Sequence, residues 1–330
     1  MRFFFQALFL CILLFRCTQA ERINFDASKG SGLVINLLPT ILNANATPFN
    51  STLIPTSLNE GVSTSVSFTL TNSPSDSTSY QFVWEDTTGA TPTLSPSSFT
   101  FSGSNSAVSV SLLPIDNNCL EDNMVLKVTR TSDNQVFRFT FAVIEADKCT
   151  FVTSSTYTGN FNGFQNADAN CAAEKPAGLP GTSTDYKAMI SGSTTVSSVV
   201  YQRQATLVSN CNMSTTPGCT STTNWVLKAK TRYYRADATT LIFTTHASVP
   251  AFNFVSQSFT NSIAGTTGKI WTGLSSDWTS SGTSCLATFG SWTYFSGNSS
   301  YGDLNSVTGT AVSGGSLSCS TPSAFFCVRQ

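Results

Sequence analysis

Eight cysteines follow residue 17 of this chain, at positions 119, 149, 171, 211, 219, 285, 319 and 327, and they constrain its fold more than any other feature. Their meaning depends on compartment. Met1-Arg2 supplies one positive charge, and Phe3 to Phe15 is almost unbroken apolar sequence. That run of about thirteen residues is too short to span a bilayer as a helix and fits the apolar region of an export signal. An even number of cysteines in an exported chain predicts disulfides rather than free thiols. Zinc thiolate sites are disfavoured because there is no Cys-x-x-Cys pair and His246 is the single histidine. No metal and no cofactor is expected.

The leader ends in one of two ways. Leu14-Phe15-Arg16-Cys17 places a large apolar residue three positions before a cysteine, the arrangement of a lipoprotein signal, so a cut after residue 16 would leave Cys17 to carry lipid. Thr18 and Ala20 instead offer the small residues of an ordinary cut after residue 20. Residue chemistry leaves both open. Residues 17–57 read as a polar tether or linker, and no later stretch is long and apolar enough to form a membrane-spanning helix. Without Arg2 and Arg16 the chain holds 15 basic and 18 acidic residues, so no basic face is available for nucleic acid. Low charge (11%) with abundant Ser, Thr and Asn suits exported β-structure.

Residues 58–149 alternate apolar and polar residues between turn signals. "VSTSVSFTLTN", "SYQFVWED", "SSFTFSG", "AVSVSLLP", "MVLKVTRT" and "VFRFTFAVIE" read as six or seven short strands of an all-β sandwich. The last hairpin turns at Ser132-Asp133-Asn134. Counting outward from Asn134 sets Cys119 opposite Cys149 at its open end, which predicts that they pair. This segment resembles bacterial Ig-like and Calx-β-like modules through "NEGVSTSVSFTLTNSPSD" and "TLSPSSFTFSGSNSAVSVSLLPIDNN". Asp116, Glu121 and Asp122 lie near the position of a calcium ligand in Calx-β repeats and read as solvated loop acids, since calcium needs about 6–8 oxygens.

From Phe151 the texture changes. "ADANCAAEK" is a plausible short helix carrying Cys171, and "SNCNMSTTPGCTS" is a loop that Cys211 and Cys219 could close on themselves. Within a second domain at residues 150–330, the segment from about 151 to 330 is similar to the endostatin-like domain of leptospiral surface proteins. The similarity rests on "YTGNFNGFQNADANCAAEKPAG", "DYKAMI", "NWVLKAKTRYYRAD", "IWTGLSSDWTSSGTSC" and the terminal "FFCVRQ", where Arg329 stands in place of the more usual acid. The resemblance implies an α+β C-type-lectin-like domain. It also implies a bridge from Cys171 to Cys327 closing that domain, another from Cys285 to Cys319 within it, and a local bridge from Cys211 to Cys219. Members are commonly lipoproteins, so it implies lipid on Cys17, membrane attachment through that lipid, and exposure at the outer membrane. It further implies adhesion or immune evasion through host proteins such as laminin or complement factor H. The alternatives are a structural or periplasmic envelope protein and, further off, an envelope hydrolase.

No enzymatic activity is expected. His246 stands alone without a Gly-x-Ser-x-Gly, so a serine triad has no base, and the acids sit mostly beside turns. The sugar-binding tripeptides of calcium-dependent lectins are absent. What remains is surface. "KAKTRYYR" is the most basic short stretch, and Lys228, Lys230, Arg232, Tyr233, Tyr234 and Arg235 form a candidate binding surface for an acidic patch or a sulfated glycan. Its alternative reading is a strand hairpin with core aromatics and solvated lysines.

Overall fold

The alternation of the first half becomes eight strands in the computed structural model, which describes residues 47–330 apart from 75, 86–91, 116–117, 197–198, 207–221, 255–256, 282–284 and 286–291. They are β1 (Ser57–Asn59), β2 (Thr64–Thr69), β3 (Thr78–Glu85), β4 (Thr93–Ser95), β5 (Ser98–Phe101), β6 (Ala107–Leu113), β7 (Asn123–Arg130) and β8 (Val136–Ile144). One sheet has the order β1-β8-β7-β3-β5, with β1 parallel to β8, and a second has the order β2-β6-β4. Val108, Val110 and Leu112 of β6 point inward, while Ser109 and Ser111 meet the hydroxyls of Ser65 and Ser63 on the other face. Period-2 patterning thus fixes the register, because a one-residue slip would bury the serines. Both sheets contribute to one apolar cluster centred on Phe49, which is 1% exposed and packs edge-on against Phe68 and Tyr80 at 5.7 and 5.2 Å.

The second half is built from short strands: β9 (Lys148–Val152), β10 (Tyr186–Ala188), β11 (Gly192–Val196), β12 (Val199–Arg203), β13 (Arg232–Tyr234), β14 (Leu241–Thr244), β15 (Lys269–Trp271), β16 (Asn298–Asp303), β17 (Gly315–Ser318) and β18 (Phe326–Arg329). The largest of its sheets has the order β10-β18-β9-β13-β14. It lies between two apolar clusters, one containing Tyr233 and Phe243, the other Phe151, Tyr234 and Cys327. Phe49–Gln330 forms one compact unit.

Among the described residues there is a single α-helix, α1 (Phe164–Glu174). Phe164, Ala167, Asp168 and Cys171 are its buried residues, at the i, i+3, i+4, i+7 spacing that lines one helical face. Lys175 and Pro176 end it, since the residue before proline is pushed out of helical geometry. The expected α+β C-type-lectin arrangement is therefore wrong: the chain is mostly β, with several small sheets. The physical reason lies in the spacing and composition of the second half. Its Ser/Thr/Gly-rich connections favour turns and strands of three to six residues, and outside α1 no described segment sustains helical periodicity. No described helix is long and apolar enough to cross a membrane.

Three disulfides are described. Cys119–Cys149 has a Cα separation of 5.2 Å, and Cys171–Cys327 and Cys285–Cys319 each 5.6 Å. The expected Cys211–Cys219 bridge, Cys17 and the leader lie outside the described residues. Cys171–Cys327 ties α1 to β18 across 156 residues of sequence. Replacing both cysteines by serine is expected to lower stability by about 2–4 kcal/mol through the freer unfolded chain. Urea unfolding of the oxidised variant checks this as a lower midpoint.

Candidate functional site

Of the two readings of the basic stretch, the structure takes the strand hairpin with core aromatics and exposed lysines. Tyr233 and Tyr234 are both buried, although neighbours on a strand point to opposite faces, because β13 is an inner strand between β9 and β14 and has a core on each side. The Tyr233 hydroxyl accepts from the Lys228 backbone N–H at 2.6 Å, and burial pushes its pKa up. Arg235 donates to the Ser262 carbonyl at 2.6 and 2.8 Å. Arg232 turns toward the first half of the chain. The stretch is therefore not a binding surface as a unit: Arg232, Tyr233, Tyr234 and Arg235 are structural, and Lys228 and Lys230 alone are exposed. The tryptophans are structural too. Trp225, Trp271, Trp278 and Trp292 are buried, and each indole N–H donates to a backbone carbonyl, those of Pro250, Tyr157, Phe252 and Ser191 respectively.

Arg232 enters a nest of three buried carboxylates. Its Nε donates to Asp147 Oδ1 at 2.8 Å, and its Nη2 lies 2.6 Å from both Glu60 Oε1 and Asp147 Oδ2. Glu60 Oε2 accepts from the Ala146 N–H, and Glu145 Oε1 from the Asp147 N–H. Oxygens of Glu60, Glu145 and Asp147 lie within 4.8 Å of one another, the one group of this kind among the described residues that could hold a metal ion. The guanidinium is already the cation of this nest. Burial, with the nearby Glu60 charge, pushes Asp147 up to about 6 despite its bonds to Arg232. Burial also opposes the Arg232 charge, but its acidic partners together outweigh that and hold its pKa above the usual arginine value. The loop acids read from sequence are occupied elsewhere: Glu121 pairs with Arg329, and Asp122 accepts from the Asn118 side-chain amide. Asp116 lies outside the described residues. His246, half-buried, accepts from the Ser248 N–H in a local turn.

A different place gathers exposed polar chemistry. An open cleft of about 580 Å³ lies between α1, β10, β12 and the segment 222–228. Its floor is an ion pair. Arg203 Nη1 and Nη2 donate to Asp168 Oδ1 and Oδ2, both at 2.7 Å, and the side chains are 5% and 12% exposed. Arg203 also donates from Nη1 to the Ala188 carbonyl and from Nε to the Asn224 carbonyl, and its guanidinium lies 4.3 Å from the Phe164 ring centre. Asp168 Oδ1 accepts the Ala188 N–H as well. Helix α1 buries Asp168 because that residue shares the Phe164–Cys171 face, and β12 carries Arg203 opposite it. Lys187 stands at the rim, Nζ 3.9 Å from Asp168 Oδ2, and the exposed Lys228 lines the same opening. The lining side chains thus hold three cations against one carboxylate, in a chain whose net charge is −1. Tyr201, 41% exposed, offers an aromatic face, and Gln165, Asn224 and Thr222 offer neutral donors and acceptors.

Of the cations in this cleft only Lys228 stands out in the sequence, and there as part of the basic stretch; Lys187 and Arg203 do not, nor does the aromatic Tyr201. Asp168 and Arg203 are 35 residues apart, and no local spacing relates them. The one available trace is an arginine inside the strand pattern "VVYQR", where a charge needs a buried partner.

Residues 154–310 match the family model described as a protein of unknown function (DUF1554). No curated protein matches the chain. Among solved structures, WR4, an MSP family member of C. elegans, is 10% identical over 30% of this chain and 99% of its own, with a TM-score of 0.23. The CupB2 chaperone of Pseudomonas aeruginosa is 12% identical over 45% of this chain and 78% of its own, TM-score 0.23. Domains 4 and 5 of the S-layer protein SbsC are 15% identical over 28% and 47%, TM-score 0.21. At such TM-scores these likenesses carry no weight for function.

Proposed function

We propose that this chain is an exported binding module, held at the outer membrane by lipid on Cys17, that engages its partner through the cleft between α1, β12 and residues 222–228. The observation that carries the reading is the cleft itself. It is open, polar, rich in cations, and built on a buried ion pair that fixes its floor. A floor of this kind pre-organises a surface, so fewer side chains must be ordered when a partner arrives. The rim lysines, Lys187 half-buried and Lys228 exposed, would steer an acidic partner and set the salt dependence of binding. The motif similarity to leptospiral endostatin-like surface proteins supports an adhesive role toward host proteins such as laminin or complement factor H.

The test is saturable binding of the oxidised protein to immobilised laminin and factor H, beside a reduced and alkylated sample. The expected result is binding by the oxidised form alone, weakening as salt rises. Equal binding by the unfolded chain, or none by the folded one, would contradict the reading.

A further inference from the structure

The proposed binding function leaves the chemistry of the ligand open, and the cleft narrows it. Resting on that function, we infer that the cleft recognises a sugar ring bearing one anionic group, a carboxylate or a sulfate. Four features of the lining point there together. The first is charge. Arg203 and Asp168 satisfy one another at the floor, which leaves Lys187 and Lys228 as the side-chain cations with reach into the opening. Lys187 is 3.9 Å from an Asp168 oxygen already paired with Arg203, so an incoming anion would meet an ammonium only loosely held. Lys228 is exposed. Two ammonium groups lining one opening suit an anionic group there, because each charged hydrogen bond is stronger than a neutral one.

The second feature is the neutral polar set. Gln165 on α1 and Asn224 are exposed and carry both a donor and an acceptor, and Thr222 adds a hydroxyl. Amides that donate and accept at once match hydroxyl groups, which do the same. Asn224 is held in place, since its Nδ2 donates to the Gln202 carbonyl at 2.8 Å and its backbone carbonyl accepts from Arg203. The third feature is Tyr201. It is one of few large rings left exposed in the described residues, whereas Phe164 is covered by the Arg203 guanidinium and Trp225 is buried. An exposed ring beside polar groups offers a stacking face for the C–H side of a sugar. The fourth is size: about 580 Å³ lies within the roughly 300–1,000 Å³ of small-ligand sites. A drug-like apolar ligand would find little apolar surface here.

Titration calorimetry of the oxidised protein with methyl glucuronide, a sulfated glucose, uncharged methyl glucoside and inorganic sulfate tests this. Methyl glucuronide and the sulfated sugar are the two arms that separate carboxylate from sulfate. At least one should bind about tenfold more tightly than both methyl glucoside and inorganic sulfate. The Lys187→Gln, Lys228→Gln double variant should lose about tenfold in that affinity with an unchanged melting temperature, and Tyr201→Ala should also weaken it. Equal affinity for the uncharged sugar, equal affinity for free sulfate, or unchanged affinity in the lysine variant would overturn the assignment. If the protein holds laminin or factor H through the cleft yet none of the sugars, the sugar assignment falls and the binding function stands. If it holds neither proteins nor sugars, both fall.

Discussion

Replacing Arg232 by leucine is expected to destabilise the protein by about 3–5 kcal/mol at neutral pH, because it leaves the buried Glu60 and Asp147 carboxylates, beside Glu145, without their cation. Glu60 lies before β2, Glu145 and Asp147 lie after β8, and Arg232 lies on β13, so the nest joins segments that are 172 residues apart in sequence. The loss should shrink on acidification, as the stranded acids take up protons in place of the missing charge. Wild type has a milder form of the same behaviour. Asp147 is raised in the folded state from 3.8 to about 6. A carboxyl with a raised folded value opposes folding fully above about 6, and that opposition fades as pH falls from 6 toward 4. This group therefore makes the protein more stable in mild acid, the reverse of an ordinary salt-bridged acid. Denaturant midpoints of wild type and Arg232→Leu between pH 4.5 and 8 check both statements. A variant whose deficit is constant across that range would show that the nest does not titrate as described. Arg232→Lys should recover part of the loss, since an ammonium restores the charge but not the fork that reaches Glu60 and Asp147 together.

Arg203→Met is expected to cost a similar amount, about 3–5 kcal/mol, for the same reason: Asp168 would remain buried beneath the cleft without a partner. It should also abolish binding, because the Asn224 carbonyl and the Ala188 carbonyl lose the donor that positions the cleft walls. The informative variant is the double one. Replacing Asp168 by asparagine together with Arg203→Met removes the uncompensated charge, so much of the stability should return while binding stays lost. The coupling in that cycle should be at least about 1 kcal/mol. Additive losses would mean that the two side chains do not act as a pair.

These two ion pairs also mark the limit of what could be read from sequence. The strands of the first half were legible because β6 and its neighbours repeat apolar and hydroxyl residues at period 2, a pattern that burial of one face demands. Disulfide use was legible from an even cysteine count behind an export leader. The architecture of the second half was not. Its expectation came from resemblance, and the short strands and single helix α1 arise from Ser/Thr/Gly-rich connections whose tertiary arrangement no period announces. "KAKTRYYR" carried two readings, and the structure takes the second, a strand hairpin with core aromatics and exposed lysines, because β13 is sandwiched between two cores. The cleft escaped notice because its members come from α1, β10, β12 and the 222–228 segment. Each contributes one or two residues of ordinary type, and only folding brings them together.

If the cleft is the binding surface, rather than the basic stretch as a whole, charge reversal at its rim should be decisive. Binding of laminin and factor H should be measured for the oxidised wild type, for Lys187→Glu with Lys228→Glu, and for Lys230→Glu, which reverses an exposed charge of the basic stretch that does not line the cleft. The double variant is expected to lose binding while keeping the folded circular-dichroism spectrum of the wild type at the assay temperature, and Lys230→Glu keeps binding. Binding retained by the double variant, or lost equally in Lys230→Glu, would contradict the assignment of the cleft.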